Sequence, residues 1–294
     1  MTSLEQAQAL LAELHQGAQA GSLIPFRLPG QIQTIQDLLT LAAAEATARE
    51  AEIAAKAMPP DMETFLKDQA GFFGHAIHEL RTPMTSIRGY GDMLGSGAMG
   101  ALNDMQKQFV ETIRTNSRRM ETLLADVSDM NKLRAGSLRV NNKMDMFKNI
   151  AMMVEKTARP LAESLSKTLT LEVPQGLPLL NLDGELLAKA LYKLVENGLR
   201  YSNEDGAVTV AGKGDGNNLL ITVSDNGIGM LPDEVARLGE VYYRSENELV
   251  RSFKGSGLGI PVAYGLINLL GGSVSVESEA EKGTTFTVRI PGMQ

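Results

Sequence analysis

The sequence predicts an α+β protein in which a helical hairpin, paired with a second copy into a four-helix bundle, precedes a layered α/β domain. Three observations carry that expectation. Two long stretches repeat apolar residues at alternating spacings of four and three, and a glycine-rich turn joins them. After Gly136 the pattern changes to short β-like runs interleaved with helical stretches. The composition, 43% hydrophobic and 21% charged over 294 residues, is that of a globular chain long enough for about two domains.

The bulk properties also exclude. With no cysteine there are no disulfides, thiolate zinc sites or cysteine nucleophiles. A net charge of −7 argues against nucleic acid as a partner, and the basic cluster Arg114, Arg118 and Arg119 reads as a solvated helix face. No apolar run approaches the ~18 residues that span a bilayer, and the opening MTSLEQAQALLAELHQG is too polar for a secretory signal. The expectation is a cytoplasmic protein with no transmembrane segment.

Four regions separate by composition: 1–30, 31–57, the helical stretch from 61 to 136 and the chain after Gly136, the first two together forming an N-terminal segment, 1–60. In the first, Ser3 and Gln6 fit a capping box, Leu4, Ala7, Leu11 and Leu14 share a helix face, and Gly17 ends it. The turn-rich SLIPFRLPG connects to residues 31–57, where Ile32, Ile35, Leu39, Ala42, Ala46, Arg49 and Ile53 form an alanine-rich coiled-coil-like seam. Pro59-Pro60 interrupts it and Asp61 is a candidate cap for the next helix. That helix, about 61–95, carries Phe73, Ile77, Leu80, Met84 and Ile87; after GSGAMGALN, a second helix over 104–135 carries Phe109, Ile113, Asn116, Met120, Leu123, Val127 and Met130. One hairpin cannot bury both seams well, so two chains are expected to complete the bundle. In the last segment, LRV, LTLEV, AVTVAG, LLITVSD, GSVSVES and TTFTVRI read as strands, and 147–166, 184–201 and 258–270 as helices on one face of a mixed sheet.

Two of the three histidines, His75 and His78, lie three residues apart on the first seam helix. With Phe73 and Leu80 at d and Ile77 and Met84 at a, His78 falls at b and His75 at f, so both face water. A shared metal ion is disfavoured because Glu79 points to another face and His15 is remote. Thr82 lies one turn beyond His78 on the same face. Pro83, inside the helix, deprives the carbonyl of Glu79 of its partner at a cost of ~3 kcal/mol, which implies a bend kept for a reason. Position alone does not choose between the histidines.

The string HELRTP at 78–83 resembles the H-box of sensor histidine kinases of two-component systems. The resemblance implies that His78 is the phosphoacceptor. It makes Glu79 the group that takes a proton from the imidazole, and Thr82 the residue that orients water when phosphate is removed from the partner protein. His75 is left as a bystander.

Three further motifs lie downstream. LYKLVENGLRYS at 191–202 gathers Glu196, Asn197 and Arg200 near one another on a helix. In ITVSDNGIGM at 221–230 a strand leads into Asp225-x-Gly227-x-Gly229, which alone also fits an ordinary tight turn. KGSGLGI at 254–260 places three glycines ahead of a helix, offering backbone N–H groups to phosphate. In this order, closed by GTTFTVRIP, they resemble the N, G1, G2 and final boxes of the histidine-kinase ATP-binding domain, the GHKL-type (Bergerat) α/β sandwich shared with the gyrase-type ATPases. With HELRTP the resemblance covers roughly 61–292.

The resemblance implies ATP and Mg²⁺ as cofactors. Asn197 is then the metal ligand, Arg200 a phosphate contact and Tyr201 a neighbour of the nucleotide. Asp225 holds the adenine amine in a pocket shaped by Gly227 and Gly229; Gly255, Gly257, Leu258 and Gly259 form the phosphate loop. Residues 231–254 become a mobile lid in which Tyr242-Tyr243-Arg244 resembles the F-box, with Arg244 stabilising the transferring phosphoryl group. It also implies a homodimer through the hairpin and an aspartate of a response-regulator receiver domain as the next acceptor. The N-terminal segment becomes an input region, 61–136 a dimerisation and phosphotransfer domain, and 137–294 the catalytic domain.

Two departures stand out. Lys193 occupies the place of the first N-box asparagine, where gyrase-type ATPases carry a water-activating glutamate; a protonated lysine cannot do that work. The F-box has Gly239 for its first phenylalanine and Tyr242 for its second. These departures motivate one alternative, a dimeric nucleotide-binding scaffold that transfers little, and weigh against a conformational ATPase.

Overall fold

The computed structural model describes residues 60–293, with side chains from residue 74 onward, and the isolated helical positions Gln6, Ala9, Ala12, Gln16 and Thr34. The helix ended by Gly17, the SLIPFRLPG turn, the 31–57 seam, the break at Pro59 and the packing of Phe73 lie outside the described residues. The chain divides into two compact units, Met1–Leu66 and Lys67–Gln294, and the second holds both the helical hairpin and the α/β part.

Helix α1, Pro60–Gly95, starts one residue before Asp61, so Asp61 belongs to its first turn and is not its cap. It stays α-helical through Pro83. Helix α2, Asp104–Arg134, begins at a capping box: Asn103 Oδ1 accepts from the Gln106 N–H at 2.9 Å, and the Asn103 N–H donates to Gln106 Oε1 at 2.9 Å. The two helices close into a hairpin. A Cβ on Gly91 would stand 3.1 Å from Arg114 Cγ, so glycine lets α2 approach. Arg88 meets Glu121 at 2.8 Å and Arg114 Nε donates to Asp92 at 2.7 Å; the Arg114 hydrogen bond holds the Asp92 carboxyl below the usual carboxylate range.

The α/β part consists of β1 (Lys143–Asp145), α3 (Phe147–Ser164), β2 (Thr168–Glu172), β3 (Leu180–Leu182), α4 (Gly184–Arg200), β4 (Ala207–Asp215) and β5 (Asn218–Asp225). It continues with short α5 (Pro232–Ala236) and α6 (Glu248–Ser252), then α7 (Gly259–Leu269), β6 (Ser273–Glu279) and β7 (Gly283–Pro291). The main sheet has the order β2-β4-β5-β7-β6, parallel at β2–β4 and antiparallel elsewhere. Its alternating inner residues, Val208 and Val210, Leu219, Ile221 and Val223, Phe286, Val288 and Ile290, meet the apolar faces of α3, α4 and α7 in one core.

The expected strand at LRV is absent. Leu138 packs on the core from a connector with no ladder partner, and the strand forms instead at Lys143–Asp145, paired antiparallel with an unforeseen β3. Apolar alternation reports burial on one side, and a connector satisfies that as well as a strand does. Within the core, Gly212 of β4 lies against the Phe147 ring: a Cβ there would stand 2.6 Å from Cε1. Gly212→Ala is expected to cost about 1–3 kcal/mol in urea unfolding, and Phe147→Leu in the same chain to recover part of it. Unchanged stability in Gly212→Ala would mean that this contact is not tight.

Candidate functional site

The acceptor-side residues sit on one exposed stretch of α1. Ile77 and Met84 are buried, whereas His75, His78, Glu79 and Thr82 are all exposed, as the heptad assignment requires. His78 Nδ1 is 3.7 Å from Glu79 Oε1, with the imidazole side chain 74% exposed. Glu79 therefore reaches the imidazole, unlike its expected placement on another face. The contact exceeds hydrogen-bond length but is within reach of one after a small rotation. Beside Pro83, Thr85 Oγ1 donates to the Arg81 carbonyl at 3.0 Å and Ser86 Oγ to that of Thr82 at 3.4 Å. Among the described residues no group of three or more histidine or carboxylate side chains could hold a metal ion.

A cavity of about 610 Å³ gathers most of the other expected residues. Asn197 and Arg200 reach it from the last turn of α4, Tyr201 from its end and Asp225 from the end of β5. Gly229, Arg244, Gly255, Gly257 and Gly259 also line it; Gly227 and Leu258 do not. Gly227 acts from behind, where a Cβ would stand 2.6 Å from the Tyr201 carbonyl oxygen. Leu258 is 1% exposed and packed in the core, so it has only backbone to offer a ligand. His78, Glu79 and Thr82 lie outside the cavity wall.

Asp225 Oδ1 accepts from the Gly227 N–H at 2.9 Å and the Thr284 N–H at 3.2 Å, which leaves Oδ2 as the acceptor for a ligand amine. Burial pushes this carboxyl up, partly offset by those two N–H groups. Gly229 (φ +59) and Gly257 (φ +71) occupy left-handed backbone; a Cβ on Gly257 would stand 2.7 Å from the Tyr242 carbonyl carbon. Tyr201 packs edge-on against Phe253, with ring centroids 6.0 Å apart. Arg244 is held by backbone: its guanidinium donates to the carbonyls of Phe253 at 2.6 Å, Gly255 at 3.3 Å and Val250.

Arg200 Nη2 donates to Glu196 at 2.8 Å, while its Nε is buried without a hydrogen-bond partner. That orphaned donor, the free Oδ2 of Asp225 and the glycine loop at the start of α7 fit an anionic nucleotide. A single amide oxygen from Asn197 suits Mg²⁺, which keeps waters and phosphate oxygens as its other ligands.

Sequence reasoning missed Thr284, Ile228 and Met230, which the GTT and GIGM strings could have indicated. It also missed a whole wall. Thr115, Arg118, Arg119, Thr122 and Asp126 of α2 line the same cavity. Lys193 turns to that wall: its Nζ is 2.6 Å from Asp126 Oδ1 and 3.9 Å from Glu196 Oε2, and Lys189 pairs with Asp129. Nothing near Lys193 or Asp126 in sequence announces that pairing.

Comparison with known proteins finds two domain families along the chain. Residues 68–136 match the His Kinase A (phospho-acceptor) domain, and residues 182–294 match the histidine kinase-, DNA gyrase B- and HSP90-like ATPase domain. An uncharacterized sensor-like histidine kinase of Rhizobium meliloti is 31% identical over 243 residues, 82% of this chain and 46% of that protein. Histidine protein kinase DivJ of Caulobacter vibrioides is 29% identical over 231 residues, 79% of this chain and 38% of the relative. The chain thus spans less than half the length of either. The crystal structure of full-length ShkA in complex with AMPPNP has the same fold over 76% of this chain and 46% of its own, with TM-score 0.64 and 24% identity. An acceptor-type helical hairpin followed by an ATPase-type sandwich, each matched by its own domain model, places the chain in the sensor histidine kinase family.

Proposed function

We propose that the chain is an ATP-dependent protein-histidine kinase that phosphorylates its own His78 and passes the phosphoryl group to an aspartate of a response-regulator receiver domain. The observation that carries this reading is the presence in one chain of an exposed His78–Glu79 pair and a nucleotide-sized cavity centred on Asp225, Asn197 and Arg200. ATP is the phosphoryl donor, and Mg²⁺ held in part by Asn197 offsets phosphate charge.

The residue roles follow from chemistry. Asp225 Oδ2 accepts from the adenine amine, and Arg200 Nε and the Gly255–Gly259 backbone bind phosphate. His78 Nε2 attacks the γ-phosphorus; an N–P bond forms, the bond to the bridging β-oxygen breaks, and ADP leaves. Glu79 takes the Nδ1 proton, so the product imidazole is neutral. Thr82, exposed one turn below, is suited to orient water when a phosphorylated regulator docks. Arg244 joins phosphoryl stabilisation only if the lid releases it from its three carbonyls. That engagement, with Lys193 paired to Asp126, favours the second reading, a nucleotide-binding scaffold that transfers little.

The apolar seam is unpaired within one chain: Leu80 is 52% and Phe109 61% exposed, and Ile87, Ile113 and Met120 are exposed with them. A second copy covers it, giving a homodimer with the phosphotransfer segment near 61–136, the catalytic segment after it, and residues 1–60 as input. No described helix is long and apolar enough to cross a membrane, and a cytoplasmic site of action suits that.

Incubation with γ-labelled ATP and Mg²⁺ tests the reading. Acid-labile label is expected on the wild type and on His75→Gln, and at background on His78→Gln; label that persists without His78 rejects the assignment. Bound nucleotide with no label in any variant selects the scaffold. Asp225→Asn is expected to weaken ATP binding by about tenfold or more in a fluorescence titration, since a donor replaces the charged acceptor. Leu80→Glu with Ile87→Glu should convert the dimer to monomer in sedimentation, and a dimer that survives both substitutions rules out this seam as its interface.

A further inference from the structure

We propose that Arg119, on the second bundle helix, is a phosphate-binding residue of the nucleotide site, brought there by two ion pairs that set the register between α2 and α4. The inference rests on the reading of the cavity as a nucleotide site and adds to it a wall supplied from outside the ATPase-type domain.

Two ion pairs define the register. Lys189 pairs with Asp129 and Lys193 with Asp126, so numbering rises along α4 as it falls along α2. Both helices rise ~1.5 Å per residue. One turn further along, Asn197 stands level with Thr122; about another turn on, Arg200 stands level with Arg118 and Arg119. All five line the one cavity. Sliding α2 by a turn in one direction sets Lys189 against Lys132; sliding it in the other leaves Asp129 without its lysine. Lys193 and Asp126 are 7% and 5% exposed, and a buried charge left unpaired is strongly unfavourable, so the two rungs select one register. Leu133 of α2 packs on Gly265 of α7, where a Cβ would stand 2.8 Å from Leu133 Cδ1, and so fixes the end of the contact beyond Asp129.

The charges lining the cavity then single out Arg119. On the ATPase-type side, Arg200 is bound by Glu196, Arg244 by three backbone carbonyls and Lys193 by Asp126. Arg118 on α2 lies 3.7 Å from Asp92, which Arg114 also holds. Among the described residues no carboxylate pairs with Arg119 or with Lys254 of the glycine loop. A polyphosphate in the cavity is a polyanion, and these two lining cations, which have no carboxylate partner, can join Arg200 Nε in meeting it. Arg119 lies level with Arg200, at the end where the orphaned Nε marks the phosphate position.

The test is a titration of the chain of 294 residues with fluorescent ATP and with the matching fluorescent adenosine, which lacks phosphate. Arg119→Ala is expected to weaken ATP binding about threefold to tenfold and leave adenosine unchanged, and Arg119→Lys to recover most of the loss. Asp129→Lys, which opposes Lys189 with a like charge, should cost ATP affinity similarly and make Arg119→Ala silent in that background. The swap Lys189→Asp with Asp129→Lys should restore both the affinity and the sensitivity to Arg119. Unchanged adenosine binding shows in every variant that the pocket is folded. The proposal is overturned if Arg119→Ala binds ATP as the wild type does, if adenosine affinity falls in parallel, or if Arg119→Ala keeps its full effect in Asp129→Lys. A wild-type chain that binds adenosine and ATP equally weakly overturns the nucleotide reading itself.

Discussion

The C-terminal turn of α4 presses on the sheet at Gly198, and the site depends on that approach. A Cβ there would stand 3.0 Å from Val208 Cγ2 and 3.2 Å from Asp225 Cβ. A side chain there would force its neighbours to give by a few tenths of an ångström, so glycine eases the approach that brings Asn197 and Arg200 to the same cavity as Asp225. The same helix buries Leu187, Leu191 and Leu194 in the core. One rigid element therefore holds the core together and aims the polar groups. A shift of α4 moves Asn197 and Arg200 together relative to Asp225 on β5.

The opposite flank of α4 carries the lysines that meet α2. Burial pushes the Asp126 carboxyl up even though Lys193 pulls it down, so desolvation exceeds the attraction of its partner. A pair of that kind adds little to the strength of docking. Its effect is selective, because every other register leaves a charge buried alone. This accounts for a lysine at the N-box position. With Glu196 committed to Arg200, Lys193 acts as a contact between domains, and water activation by this position is chemically closed.

The sequence made legible whatever depends on local period or backbone chemistry. The seams of α1 and α2 follow from apolar spacing, and the helical stretches that form α3, α4 and α7 and the five main-sheet strands from the alternation of short β-like and helical runs. The exposure of His78 followed from its heptad position, and the meeting of Asp225 with Asn197 from the resemblance. What stayed hidden depends on contacts between elements distant in the chain. Lys193 stood out as a departure, but Asp126 looked like any solvated acid on a helix, and so did Arg119 among basic neighbours. Leu258 sits inside a glycine loop yet belongs to the core, a distinction the motif string does not carry. The ladder of β1 with β3 is three residues long on each side, too short for alternation to declare it.

Helix α2 is where the two halves of the molecule become one machine. Its face at Val110, Arg114 and Glu121 packs on α1; its face at Arg119, Thr122, Asp126, Asp129 and Leu133 meets the cavity, α4 and α7; Phe109, Ile113 and Met120 form an exposed apolar stripe. Successive residues of a helix are separated by ~100°, so these faces are fixed relative to one another. No rotation of α2 that repacks the apolar stripe can leave both ion pairs to α4 in place. Lys193 and Asp126 are both buried whereas Lys189 is partly exposed, so the Lys193–Asp126 rung is the one that cannot stretch toward its partner through water. Repacking of the stripe is thereby coupled to the α4 residues that line the cavity, without any contact between the stripe and the cavity.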